Sequence, residues 1–178
     1  MNRRALLTSL ALAPVIAGCR RPAVAAIPPV ILPPLRSIAP GAFGSCVQVA
    51  NLTDPGWLDL ARTHVSQLTP EWEMKMEYIL ADGLDRPRLD RADRIARFAR
   101  DNAMALHGHT LIWYSQGQDA FSGLDNAAFD RAFDRYIATV AGRYRGRVRS
   151  WDVVNEPILD DGSGLRDCHW SRLHPPRL

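Results

Sequence analysis

Lysine is almost missing from this chain: of its 22 lysines and arginines, only Lys75 is a lysine. Base composition of the gene is the bland cause. A compact ammonium is nevertheless not exchanged for a planar guanidinium without loss where geometry matters, which singles out the survivor. Cysteine is scarce as well, with three in 178 residues, and none of the spacings is that of a zinc site. With Cys19 assigned to the N-terminal segment, Cys46 and Cys168 remain, and export would permit a disulfide between them without requiring one. There is no Gly-x-Gly-x-x-Gly and no P-loop, so a nucleotide site is not supported. Acidic residues are absent from the first 26 positions, which hold Arg3, Arg4, Arg20 and Arg21. Setting those four aside leaves 18 basic against 19 acidic groups, so the formal charge of +3 falls to −1. No basic field remains to hold phosphates, which excludes nucleic acid as a partner. At 47% hydrophobic and 23% charged, the chain has the makings of one ordinary globular domain.

The N-terminus reads as an address. Arg3-Arg4 form a charged start, Ala5–Gly18 is apolar, and small residues follow, so residues 1–26 are expected to be an export signal of Tat-like type. The apolar run is shorter than the roughly 20 residues a membrane-spanning helix needs. Ile16-Ala17-Gly18-Cys19 resembles a lipobox, making Cys19 a candidate lipid anchor, whereas Ala23-Val24-Ala25 offers ordinary cleavage. The chain is expected to be exported, either free in the periplasm or outside the cell, or anchored as a lipoprotein. Prolines from Pro22 to Pro40 make residues 27–40 an expected extended linker, and residues 41–178 the domain.

Within that domain, short apolar runs alternate with helical periodicity. Strands are expected at Phe43–Ala50, Val65–Thr69, Ala105–Trp113 and Arg147–Asn155. Helices are expected at Asp54–His64, Asp90–Asn102 and Asn126–Tyr144. Thr53 or Asp54 caps the first, and Ala92, Ile95, Ala96 and Ala99 form one face of the second. The order is that of a parallel sheet with crossover helices, its strands apolar on both faces. A barrel and an open doubly wound sheet both fit. Both place sites at the C-terminal strand ends, where the polar residues gather.

Three segments carry chemistry. In Trp151-Asp152-Val153-Val154-Asn155-Glu156-Pro157 a glutamate appears at a strand lip. Strand alternation would send Asn155 and Glu156 to opposite faces, and both reach one site only if the strand stops there, as Pro157 suggests. A carboxyl against apolar walls and near another carboxylate stays protonated to higher pH and can act as an acid. Breaking a glycosidic bond needs such an acid, and an adjacent amide can bind the sugar 2-hydroxyl. A helix-start glutamate with no chemistry fits the bare pattern equally well. In His107-Gly108-His109-Thr110-Leu111-Ile112-Trp113-Tyr114-Ser115-Gln116, two histidines at i, i+2 on a strand suit zinc, a satisfied core, or a sugar site in which indole faces meet pyranose rings. In Thr69-Pro70-Glu71-Trp72-Glu73-Met74-Lys75, Glu71 and Lys75 are four apart. They form either a simple ion pair on a solvated helix start or a grip on sugar hydroxyls.

In this order, the three segments resemble glycoside hydrolase family 10, the endo-1,4-β-xylanases, over roughly Phe43 to Arg166. The resemblance implies a (β/α)8 barrel, retaining hydrolysis of xylan or xylo-oligosaccharides, no metal or organic cofactor, and a monomer if complete. It makes Glu156 the general acid/base. It makes Glu71, Lys75, His109, Trp113, Gln116 and Asn155 sugar contacts. There are departures. The family usually has Asn where Trp72 stands, Trp at Met76 and His at Tyr114, and His107 replaces a common Arg. A retaining mechanism also needs a nucleophilic carboxylate roughly 5–5.5 Å from the acid. The family's Thr-Glu-x-Asp-like motif does not follow Glu156. The expectation is a barrel truncated after about its fourth strand, with little or no hydrolytic activity alone. Competing readings are a non-catalytic sugar-binding lipoprotein, a metal-dependent hydrolase using His107 and His109, and a barrel glycosidase acting on cellulose or mixed glucans.

Overall fold

The computed structural model describes residues 32–170. The expected export segment with Cys19, and residues 171–178, lie outside them. Four short parallel strands form the centre: β1 (Gly44–Val47), β2 (Gln67–Pro70), β3 (Ala105–Gly108) and, later in the chain, β5 (Ser150–Trp151). They lie side by side in the order β1-β2-β3-β5, each next to its predecessor in the chain, with no reversal. A doubly wound sheet reverses order at a switch point. An uninterrupted sequential order is that of a barrel wall, and it decides between the two alternatives left open above.

The crossovers are helical for local reasons. Asp54 caps α2 (Pro55–His64), its carboxylate accepting from the backbone N–H of Gly56 and Trp57 at 2.8 and 3.2 Å. Pro55 opens the helix where no backbone donor is needed. After the single turn α3 (Met76–Ile79), helix α4 (Asp90–Asp101) buries Ala92, Ile95, Ala96 and Ala99 and places Asp90 and Asp93 in its first turn, as the helix dipole favours. Asp125 caps α5 (Asn126–Arg143) through the Ala128 N–H at 2.7 Å. This helix buries Phe129, Ala132, Tyr136 and Val140. Residues expected to be extended linker contain one further turn, α1 (Leu35–Ile38), tied to α2 by Leu35 N–H donating to His64 Nδ1 at 3.1 Å.

Two of the expected strands are broken. Ala105–Trp113 becomes β3 and a separate pair of residues, β4 (Ile112–Trp113). Arg147–Asn155 becomes β5 and β6 (Val154–Asn155). The His109–Thr110 peptide is cis. β4 and β6 pair with each other in parallel, Ile112 with Val154 and Trp113 with Asn155. Together they form a small lip beyond the main sheet. Thr110 fastens the break, donating its hydroxyl to the Asp152 carbonyl at 2.8 Å.

The two faces of the sheet differ, contrary to the expectation of strands apolar on both sides. Leu68, Pro70, Leu106 and Gly108 are buried towards the helices. The alternate residues Gln67, Thr69, Ala105 and His107 are only partly covered. Strand alternation sends each set to its own face, and among the described residues only the helical layer covers a face. Gly108 shows how tight that side is. The Trp151 ring lies over it and packs in turn against Tyr144, at 6.3 Å between ring centroids. Cys46 and Cys168 are not joined by a disulfide.

Candidate functional site

At the end of β2 the chain does not enter a helix. Residues 71–75 form a turn in which Glu73 and Lys75 are buried, at 6% and 8% exposure. Glu73 accepts from the Val49 N–H at 2.6 Å and so ties this turn to the segment after β1. Glu71 accepts from Gln48 Nε2 at 2.8 Å. The bland expectation, a solvated Glu71–Lys75 ion pair on a helix start, is therefore replaced. The carboxylate has an amide partner. The Lys75 ammonium sits over the rings of Trp72 and Trp113, 4.7 Å from each centroid. A buried cation needs compensation, and two indole faces supply it through their quadrupoles.

Trp113 is the hinge of the site. One face of its ring meets Lys75, and its Nε1–H donates to Glu156 Oε2 at 2.8 Å. Asn155 is its register partner across β4 and β6. Its carbonyl accepts from Trp170 Nε1 at 2.9 Å. Trp170 belongs to an aromatic cluster with Phe121, Phe129 and Phe133 that anchors the lip to α5. Gln116 joins by its backbone, donating to the Trp113 carbonyl at 3.4 Å. Its side-chain oxygen is buried and finds no partner among the described residues. It borders a cleft of about 260 Å³ that Glu77, Ser115 and Gln118 also line.

Glu156 reaches this group by a backbone device. β6 ends at Asn155, and Glu156 takes φ +51°. This left-handed conformation costs a non-glycine residue on the order of 1–2 kcal/mol. It interrupts the alternation and lets neighbouring side chains serve one site. Such outliers cluster where geometry is functional. Arg166 steadies the turn, donating to the Glu156 carbonyl at 3.3 Å while stacking 4.1 Å over the Tyr114 ring. Glu156 is exposed. The apolar walls expected around it are not built by the described residues.

His109 approaches from the β3 side, where its Nδ1 lies 2.9 Å from Asp152 Oδ2. His107 Nε2 meets the same oxygen at 3.0 Å. The Asp152 carboxyl would rise by burial, but the hydrogen bonds from His109 and His107 outweigh that and hold it below the ordinary aspartate value. Among the described residues, no group of three or more His, Cys, Asp or Glu is placed to hold a metal ion. The structure thus links Lys75 and Glu156 through Trp113, sets Asn155 in register beside Trp113 and ties Gln116 to it by backbone alone, and holds Glu71 and His109 each by a partner of its own. Asp152, Glu73 and Gln48 were not singled out from sequence. For Asp152 the signal was available: two histidines on one strand face need an acceptor, and alternation puts Asp152 beside Ser150 on the neighbouring strand.

A model of the family described as glycosyl hydrolase family 10 matches residues 35–175. Over 133 residues the chain is 35% identical to endo-1,4-beta-xylanase A of Thermotoga maritima, covering 69% of this chain and 13% of that protein. It is 38% identical over 115 residues to endo-1,4-beta-xylanase 3 of Hypocrea jecorina, covering 64% of this chain and 33% of the relative. The crystal structure of an endo-1,4-beta-xylanase from Caldicellulosiruptor owensensis superposes with TM-score 0.72 at 33% identity, over 80% of this chain and 45% of that one. A mutant structure in complex with xylotriose matches with TM-score 0.68 at 33% identity, over 74% and 42%. The chain thus spans less than half the length of these relatives. Its four parallel strands are part of a (β/α)8 barrel that does not close among the described residues.

Proposed function

Because the chain belongs to glycosyl hydrolase family 10, we propose that it carries the acid/base side of a retaining endo-1,4-β-xylanase site, with Glu156 as the general acid/base. The observation that supports this most directly is the Trp113–Glu156 hydrogen bond at the strand lip. It holds a carboxyl at the edge of an indole whose face carries a buried ammonium, next in the chain to Asn155. In that role Glu156 gives its proton to the departing sugar oxygen and later takes one from water. Asn155 binds the sugar 2-hydroxyl. Lys75, Glu71 and His109 take further hydroxyls, and Trp113 packs against the pyranose C–H surface. The unpartnered Gln116 oxygen gains a donor when a sugar hydroxyl reaches it, relieving a buried acceptor.

Retaining hydrolysis also needs a second carboxylate as nucleophile, and no Thr-Glu-x-Asp-like segment follows Glu156 in these 178 residues. The 178-residue chain is therefore expected to bind xylo-oligosaccharides and not to turn them over. Titrating the purified chain with xylotriose while following tryptophan fluorescence tests the reading. Binding that W113A abolishes and E156Q preserves supports it. Absence of any xylotriose binding, or equal binding of an α-linked maltotriose, refutes it. A cellotriose arm separates xylan from glucan preference. The same proposal places the chain outside the cytoplasm, on the pattern of residues 1–26. Radiolabelled palmitate incorporation abolished by C19S would assign the lipid anchor.

A further inference from the structure

β3 and β5 run in parallel register with His107 opposite Ser150 and Gly108 opposite Trp151. The Gly108–Trp151 pair faces the helices. The alternate residues His107, His109, Ser150 and Asp152 share the other, partly open face, and they are hydrogen-bonded in a row. Ser150 Oγ lies 2.8 Å from His107 Nδ1. His107 Nε2 and His109 Nδ1 then lie 3.0 and 2.9 Å from the same carboxylate oxygen of Asp152.

An ionised carboxylate only accepts. Both ring nitrogens that touch Asp152 must therefore carry hydrogen. That makes neutral His107 the Nε2–H tautomer, its Nδ1 accepting from the Ser150 hydroxyl. It makes neutral His109 the Nδ1–H tautomer, which leaves Nε2 as an acceptor. An unconstrained imidazole favours the opposite form, with hydrogen on Nε2. The Asp152 side chain is 41% exposed. Held by His109 alone, it could turn to water and release the ring.

We propose that His107 is a positioning residue: braced by Ser150, it fixes the Asp152 carboxylate, which in turn fixes His109 as an Nδ1–H tautomer that offers Nε2 as an acceptor to a sugar hydroxyl. The sugar part rests on the proposed function, and the tautomer part does not. The role of His107 is indirect, since it meets the substrate only through Asp152 and His109.

Long-range proton–nitrogen correlation spectra of the full chain, labelled at histidine, read the tautomers directly. In the wild type, His109 is expected as Nδ1–H and His107 as Nε2–H. H107A is expected to convert His109 to mainly Nε2–H. It should also weaken xylotriose binding about tenfold, the worth of one hydrogen bond turned from favourable to opposed. H107Q, whose amide N–H can reach the same Asp152 oxygen, is expected to restore both. S150A removes a single hydroxyl and serves if H107A does not fold; it should blur the His107 tautomer and move His109 in the same direction. A His109 that stays Nδ1–H in both H107A and S150A, or an H107Q no better than H107A, overturns the proposal. If the tautomers respond as expected but xylotriose leaves His109 Nε2 unmoved, the positioning role stands and the sugar-site reading falls.

Discussion

Replacing Gly108 by alanine tests the packing that aligns the two halves of the site. A Cβ at this position would lie 2.2 Å from Cε3 of Trp151 and 2.4 Å from its Cδ2 and Cζ3. Carbon atoms in contact ordinarily sit about 3.5–4.0 Å apart, so the ring must retreat by more than about 1 Å. It has little room, because Tyr144 behind it is fully buried. Overpacking of this kind costs about 1–3 kcal/mol, and a rigid indole, half-buried but backed by the buried Tyr144, belongs at the upper end. For a domain of this size about 3 kcal/mol corresponds to a fall in Tm of roughly 6–12 °C. Thermal unfolding followed by far-ultraviolet circular dichroism measures it. Trp151→Leu in the G108A background should recover part of the loss, because the two side chains compete for one space. A G108A melt within about 1 °C of wild type would refute the reasoning, since overpacking on that scale would be absent. Xylotriose affinity should fall along with stability, because the ring that moves belongs to the strand carrying Ser150 and leading to Asp152.

Three further outcomes are expected. Asp54→Ala removes the cap of α2 and should lower stability by about 1 kcal/mol in urea unfolding, with the xylotriose titration unchanged. Asp93 links α4 to Arg143 of α5, and the hydrogen bond from that guanidinium, against the opposing effect of burial, holds its carboxyl below the ordinary 3.8. Because the folded value is the lower one, the stability it contributes is present above 3.8 and is lost as the pH falls through the depressed folded value. R143M should therefore cost about 1 kcal/mol at neutral pH, and urea midpoints should converge with wild type in strong acid. Lys75→Met keeps the bulk between the two indoles and removes the charge. It should weaken xylotriose binding by about 2 kcal/mol, roughly thirtyfold, as loss of a charged donor does, while the melting temperature changes little.

The long helices were legible because their periodicity is strong. Ala92, Ile95, Ala96 and Ala99 are the buried face of α4, as their spacing demands, and Asp54 caps α2. All four main strands fall within or beside the expected runs, but only the Ala105 start is matched; Val65–Thr69 is shifted towards the N-terminus of β2, and the other three runs overrun their strands. Nothing in the apolar run from Ala105 to Trp113 marks the break after Gly108, and Val153 and Val154 look like continuous strand although both are exposed. At the lip, Pro157 signalled that the strand stops, and it stops at Asn155. The left-handed turn that brings Glu156 round was not readable from a residue type that rarely adopts it. Lys75 stands out in the sequence by its rarity, its spacing from Glu71 and the family resemblance, but none of these shows that it is buried between two indoles. Its burial depends on Trp113, nearly forty positions later, and periodicity within a window carries no such long-range information. Export, the start of the linker and Cys19 fall on residues whose structure is not described.

The placement of Lys75 has a practical consequence. A protease specific for lysine finds a single bond to cut in the whole chain, Lys75–Met76, and in the folded molecule both flanking residues are buried. Digestion should therefore yield two pieces or none. The rate at which the intact band disappears then reports the equilibrium fraction of chains with the indole clamp open, when reclosing is faster than cutting. A bound oligosaccharide that bridges the clamp would slow that clock in proportion to its occupancy.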